Sequence, residues 1–159
     1  MPAMSAGILL YRLDGRSGVT VLVAHMGGPY WSGKDEGAWT IPKGEVDGDE
    51  GMLDAARREF REELGVDAPD VEYAELGTYV YSSGKRVTVF VADGADFTAS
   101  AFDFGTFELE WPPRSGRIRA FPEVDRAEWM PVADARERLV KGQRPALDRL
   151  EELLADVGA

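Results

Sequence analysis

Three glutamates, Glu59, Glu62 and Glu63, stand at i, i+3 and i+4 in the run Arg57-Arg-Glu-Phe-Arg-Glu-Glu-Leu64. On a helix those positions share one face. Carboxylates gathered in this way repel one another and call for a counter-charge. A divalent cation that prefers oxygen ligands is the natural one. The loop just ahead, Lys43-Gly-Glu-Val-Asp-Gly-Asp-Glu50, supplies a lysine and glycines immediately before the helix.

Taken at about 100° per residue from Leu53, the helix places Leu53, Ala56, Phe60 and Leu64 within about 80° of one another, as a core face. Glu59, Glu62 and Glu63 fall on one flank of that face. Arg57, Arg58 and Arg61 fall on the other with Asp54, and Glu50 joins them if the helix starts early enough. A solvated helix with alternating Glu and Arg gains only about 0.2–0.5 kcal/mol per pair. The segregation seen here is different, because no basic residue relieves the acidic flank.

The elements that must position these groups follow from pattern. Residues 5–13 and 19–24 read as two strands joined through the turn cluster 14–18. His25 closes the second strand and reads first as a structural or rim histidine. Residues 26–37 form a Gly-rich loop, and 38–42 a short strand ending at Pro42. After the helix, 71–83 and 86–92 form a second hairpin. Residues 93–106 read as loop and 107–111 as a short strand, and Pro112 to Arg117 cannot continue a central strand. A last strand spans 127–132 and a helix 133–141. Pro145 opens a closing helix whose Leu147, Leu150, Leu153 and Leu154 make one apolar stripe. The expected fold class is α+β, a mixed central sheet packed between helices, with residues 1–159 as a single domain.

Composition removes several kinds of chemistry. The chain of 159 residues has no Cys, so disulfides, thiol catalysis and thiolate zinc sites are excluded. The single His, His25, leaves a His-rich metal centre or a Ser-His-Asp triad without support. Eighteen basic against 29 acidic residues give a net charge of −11, which opposes broad binding to nucleic acid or to anionic membrane. No apolar run is long enough to cross a bilayer, and the first residues lack the basic region of a signal peptide. A cytoplasmic location is the default expectation.

The stretch from Gly44 to Val66 resembles the Nudix box of the Nudix hydrolase superfamily. Gly44, Glu50, Arg58-Glu59, Phe60, Glu62-Glu63, Gly65 and Val66 fill every defined position, with Phe60 where an aliphatic residue is more usual. Flanking stretches, Gly27 to Trp31, Ile41 to Glu45 and Phe107 to Gly116, are similar to a bacterial subgroup described as predicted nucleoside triphosphate pyrophosphohydrolases. The resemblance implies a Nudix-type α/β/α sandwich. It also implies hydrolysis of a nucleoside diphosphate linked to another moiety, with Mg2+ or Mn2+ as cofactor. By similarity Glu59 and Glu63 are the leading metal ligands, with Glu62 close by and the Gly44 carbonyl as a further ligand. Arg58 would orient Glu59, and Glu50 would pair with Arg58 or support the loop. The general base is left among Glu62, Glu63 and a later glutamate, for which Glu123 matches the usual position.

Lys43, Arg114, Arg117 and Trp31 are the candidate substrate contacts, as phosphate clamps and as a stacking surface. The expected partner is a small nucleotide-like molecule, a nucleoside triphosphate or dinucleoside polyphosphate above others. Neither nucleic acid nor membrane is expected, and a homodimer is the oligomeric state the resemblance suggests. The competing expectation is a Nudix-fold sensor that binds a nucleotide or ADP-ribose-type ligand without chemistry. The intact box weighs against it, since a binder has no need of three spaced carboxylates.

Overall fold

The computed structural model describes residues 4–14, 18–99 and 101–158. Its main sheet starts from strand β1, Met4–Asp14, whose apolar run Ile8-Leu-Leu10 is fully buried on both faces. One edge of β1 pairs in parallel with β6, Arg86–Asp93, which in turn pairs antiparallel with β5, Ala74–Val80. The other edge is shared. At its C-terminal end β1 pairs with β2, Gly18–Met26, from Tyr11↔Val21 to Asp14↔Gly18. Residues 15–17 of the expected turn lie outside the described residues.

Beyond that hairpin the two strands diverge. β3, Trp39–Thr40, pairs with the far end of β2, and β4, Lys43–Glu45, pairs with Ser5, Ala6 and Gly7 of β1. Two short strands of one continuous segment thus fill the widening gap between β1 and β2. Gly7 permits the approach, since a Cβ there would stand 2.8 Å from the Pro42 carbonyl oxygen. β9, Val124–Pro131, covers the remaining edge of β2. The parallel β1–β6 pair makes the sheet mixed.

Alternation along the strands divides the core into two layers. Ala6, Ile8 and Leu10 of β1 join Phe90 and Ala92 of β6 beneath α1, Met52–Leu64, where they meet Ala55, Ala56, Phe60 and Leu64. Leu9, Val87, Val89 and Val91 point the opposite way, onto α2, Val132–Arg138, and α3, Arg144–Gly158. The leucine stripe of α3 does pack on the sheet: Leu147 and Leu150 are fully buried, and Leu153 and Leu154 lie against them. The fold is the expected α+β sandwich, helices on both faces of a mixed sheet.

Several boundaries differ from expectation. Residues 43–45 form β4 rather than the start of a loop, and Ile118–Pro122 forms a strand, β8, paired with β7, Thr106–Glu110. β9 begins three residues earlier than expected, at Val124, and α3 begins at Arg144, one residue before Pro145. The core face of α1 is also rotated. Leu53 is only partly buried, whereas Ala55 and Glu63 are buried.

Candidate active site

The helix that carries the glutamates starts at Met52 after Gly51 and ends at Gly65, which takes the left-handed conformation with φ 74°. Its N–H caps the carbonyl of Arg61, a conformation open to glycine at little cost. Packing of Phe60 and Leu64 on β1 and of Phe60 on Phe97 fixes the rotation of α1. Glu59 and Glu63, one turn apart, then face β4.

There the backbone and the carboxylate meet. A Cβ on Gly44 would stand 1.9 Å from Glu59 Oε2 and 2.6 Å from its Cγ. Only glycine leaves room for Glu59 at this position. Glu59 and Glu63 both line a cleft of about 760 Å³ together with Lys43, Gly44, Glu45, Asp47, Arg58, Glu62, Glu123, Thr40 and Tyr81. Glu63 is the deepest of the five cleft glutamates at 6% exposure. Burial pushes its carboxyl up to about 8, and the charges of Glu123 and Glu59 add to this while the Lys43 ammonium and backbone N–H oppose it. Burial also raises Glu59, with Arg58 acting in the opposite sense.

Arg58 is the hub. Its Nε and Nη2 donate to the two oxygens of Glu50, each at 2.9 Å, and Nη2 also reaches the Glu45 carbonyl at 3.0 Å. Nη1 donates to Glu59 Oε1 at 2.9 Å and to Glu62 Oε2 at 3.0 Å. This overturns the expectation of an unrelieved acidic flank. A projection down the axis treats side chains as radial spokes, but a guanidinium on a three-carbon stem bridges neighbouring rows. Glu50 lies ahead of the helix and still reaches Arg58, which lowers the Glu50 carboxyl through that hydrogen bond first. Arg58 is itself raised by the same contact.

Glu123 enters from the far side, between β8 and β9. Its N–H donates to the Gly105 carbonyl at 2.8 Å and its carbonyl accepts from Gly27 at 2.9 Å. The 103–105 segment is itself tied to the end of α1, Asp103 N–H to Leu64 O and Gly105 N–H to Glu63 O. The stretch 93–106, read as featureless loop, therefore sets the distance between the helix and Glu123.

Tyr81 completes the wall, and Gln143 behind it holds the wall together; neither carries a site signal in the sequence. Gln143, fully buried, accepts from the Ile41 N–H at 2.7 Å and donates to Thr40 Oγ1 at 2.9 Å and Tyr81 Oη at 2.7 Å. It ties the linker between α2 and α3 to the segment that delivers Lys43 and Gly44. Among the described residues no buried side-chain polar atom lacks a partner. Trp31 packs against the α3-side core, and Arg114 and Arg117 sit exposed on the β7–β8 turn; none of the three lines the cleft. Tyr30 and Trp111 meet edge to face with centroids 5.2 Å apart, away from it. His25 is buried, between Asp125 Oδ1 at 2.8 Å and the Lys34 carbonyl at 2.6 Å, which is a structural placement.

The donor set suits a hard divalent cation, because every candidate ligand is an oxygen: the Gly44 carbonyl and the carboxylates of Glu59, Glu62 and Glu63. Among the described residues no three acidic or imidazole side chains are already drawn close enough to hold one. Arg58 occupies one oxygen each of Glu59 and Glu62 and leaves the second oxygen of each carboxylate for a ligand.

A fold of this topology with this box defines a class, the hydrolases that act on phosphorus-containing anhydrides. The NUDIX domain family model matches residues 1–150, and the chain belongs to that family. Solved structures agree on the fold. The Ap4A hydrolase of C. elegans, in a binary complex, is 22% identical with a TM-score of 0.68, over 96% of this chain and 98% of that one. The NUDIX domain of Shewanella oneidensis NrtR, complexed with ADP ribose, is 16% identical with a TM-score of 0.64, over 97% and 89%. The MutT protein of Methanosarcina mazei is 18% identical with a TM-score of 0.57, over 96% of each chain. No curated protein matches the chain.

Proposed function

We propose that the protein is a divalent-metal-dependent pyrophosphohydrolase that cleaves a diphosphate linkage in a nucleoside diphosphate bearing a further group. The observation that carries this is the convergence of Glu59, Glu62, Glu63, Glu123 and the Gly44 backbone on one cleft, held by Arg58. Glu59, Glu63 and the Gly44 carbonyl would hold the metal, with Glu62 beside them, and Mg2+ or Mn2+ fits this set. When bound, such an ion lowers the pKa of an attacking water and neutralises phosphate charge.

The chain's own groups do the rest. Arg58 fixes Glu59 and Glu62 from behind and keeps the glutamates aimed into the cleft. Lys43, at the cleft floor beside Glu63, is placed to bind a phosphate oxygen of the scissile linkage. Glu123 is the base in this reading. Its carboxylate lies across the cleft from α1, forms no ion pair among the described residues, and can take the proton of the water that attacks phosphorus. In-line positioning between the carboxylate wall and Lys43 supplies much of the rate. A homodimer, a cytoplasmic location and the absence of nucleic-acid and membrane partners belong to the same proposal. The described residues contain no helix long and apolar enough to cross a membrane.

The test is a panel of diphosphate-linked nucleotides with Mg2+ and with Mn2+, with product identification to show which bond breaks. Glu63→Gln is expected to abolish most turnover while its far-UV circular dichroism stays that of the parent. Near-normal activity in that variant would falsify the assignment. Ligand-dependent melting without product from any compound would favour the sensor instead.

A further inference from the structure

Where β8 passes into β9, the chain leaves regular pairing twice. Glu123 lies between the two strands and belongs to neither. Just beyond it, His25 of β2 stands opposite Arg126 and Met26 opposite Val124, so Asp125 is skipped by the ladder and forms a bulge on β9. A bulge bends its strand and re-aims the side chains beside it. This one adjoins the carboxylate that enters the cleft from the far side. The backbone of Glu123 is held through its N–H, to Gly105 O at 2.8 Å, and through its carbonyl, from Gly27 N–H at 2.9 Å. Neither bond fixes the bulge.

His25, the only histidine in the chain, captures the bulged residue. Its Nδ1 lies 2.8 Å from Asp125 Oδ1 and its Nε2 lies 2.6 Å from the Lys34 carbonyl. A carbonyl only accepts, so Nε2 donates to Lys34 and Nδ1 is left to bond the carboxyl group. The ring is 2% exposed and meets the Trp39 indole edge-on, with centroids 5.2 Å apart. That indole is fixed in turn, its Nε1 donating to Asp35 Oδ1 at 2.8 Å. Arg126 lies over the same indole and approaches Asp125 Oδ1 at 3.8 Å. Arg126 and Asp125 are both exposed, and a surface pair holds little. The buried imidazole is the firmer hold. An apolar side chain would fill the same place at less cost in desolvation. What the imidazole adds is its two bonds, which tie the loop after β2 and the start of β9 to one ring.

We infer that His25 and Asp125 are positioning residues for Glu123: the pair pins the β9 bulge and so sets where the Glu123 carboxylate stands across the cleft from Glu59 and Glu63. This rests on the proposed reading of Glu123 as base for its effect on turnover, and on the bulge and the pair alone for the positioning. Neither residue lines the cleft, so neither touches the substrate. Among the described residues neither side chain bonds to β4 or α1, which carry Gly44, Glu59 and Glu63. Loss of the pair therefore moves the base and leaves the opposite wall in place. The rate should fall, with the affinities for substrate and for metal unchanged.

The experiment uses the full-length chain and removes Asp125, whose side chain is exposed, in preference to the buried His25. With Mg2+ and a nucleotide that the parent hydrolyses, Asp125→Ala should lower kcat about thirtyfold, with KM and the half-saturating Mg2+ concentration within about twofold of the parent. Asp125→Asn can still bond Nδ1, through its carbonyl or its amide, and should recover most of the rate. In a Glu123→Gln background, adding Asp125→Ala should cost no more than about twofold, because the group it positions is gone. Should Asp125→Ala fail to fold, Asp125→Ser carries the same comparison. In chelated buffer, amide exchange of Gly27 and Glu123 followed by NMR should quicken about tenfold in Asp125→Ala, while the amides of α1 keep the parent's rates. An unchanged kcat, or an equal loss with and without Glu123, overturns the inference. If the parent hydrolyses nothing the enzymatic reading fails, and if Glu123→Gln is as fast as the parent the base assignment fails. In either case the exchange rates decide: quickening confined to Gly27 and Glu123 supports the pin, and parental rates there overturn it.

Discussion

At the scale of single residues, Glu63 sets the terms. A carboxyl in the unfolded chain ionises near 4.5, and in the folded site burial holds the proton up to about 8. Between those values the folded state binds a proton that the unfolded state has released, so stability falls as pH rises through the window. Glu63→Gln removes that loss. In chelated buffer the variant is expected to melt above the parent near about pH 8.5, with the difference closing near about pH 4.5, each kcal/mol being worth roughly 2–4 °C in a chain of this size. Differential scanning calorimetry across the window reads it directly, and a variant less stable than the parent at high pH would show that Glu63 is ionised and stabilised there. Mg2+ should reverse the order by raising the parent's melting temperature and not the variant's. Metal entry and proton release are then one event at this position.

At the scale of elements, the box is assembled because β4 and α1 touch. Gly44 is required by closeness, not by conformation: its backbone is not in the left-handed region, and Glu59 stands where a Cβ would go. Gly44→Ala must push Glu59 away from its Cγ outward and so break its bond to Arg58. The expected result is roughly a hundred-fold loss of kcat/KM with weakened Mg2+ binding, since a displacement of about 1 Å at such a site has that effect. The melting temperature should shift by only a few degrees. Steady-state kinetics with a metal titration decide it, and activity within a few-fold of the parent would sink the account. The same contact explains what was legible. The spacing of Glu59, Glu62 and Glu63 was readable from helix period alone, and the leucine stripe of α3 likewise. β4 was not, because Lys-Gly-Glu contains no β-former; its strand character comes entirely from the gap between β1 and β2. β8 was hidden for a similar reason, since Ile118-Arg-Ala-Phe-Pro122 pairs only with β7 in a two-stranded sheet. Gln143 and Tyr81 carry no motif at all, and only tertiary packing brings Tyr81 to the cleft with Gln143 bonded behind it.

At the scale of the whole molecule, charge is distributed by type. Arginines pair with carboxylates on α1 and between α2 and α3, where Arg136 bonds Asp148 and Glu151, and among the described residues no lysine forms an ion pair. The net charge of −11 makes the surroundings of the cleft a gathering field for cations. On the proposed reading, a dense set of carboxylates that takes up an ion would benefit from that field, and the substrate would then meet a neutralised wall. This makes metal loading more sensitive to salt than a neutral protein with the same ligands would be. Raising KCl from about 20 to about 200 mM shortens the screening length from roughly 20 Å to below 10 Å. Over that span the Mg2+ concentration needed for half-maximal stabilisation should rise several-fold, followed by thermal shift at constant pH. A salt-independent midpoint would mean that only the ligating carboxylates attract the ion, and that the acidic composition of the rest of the chain serves solubility rather than loading.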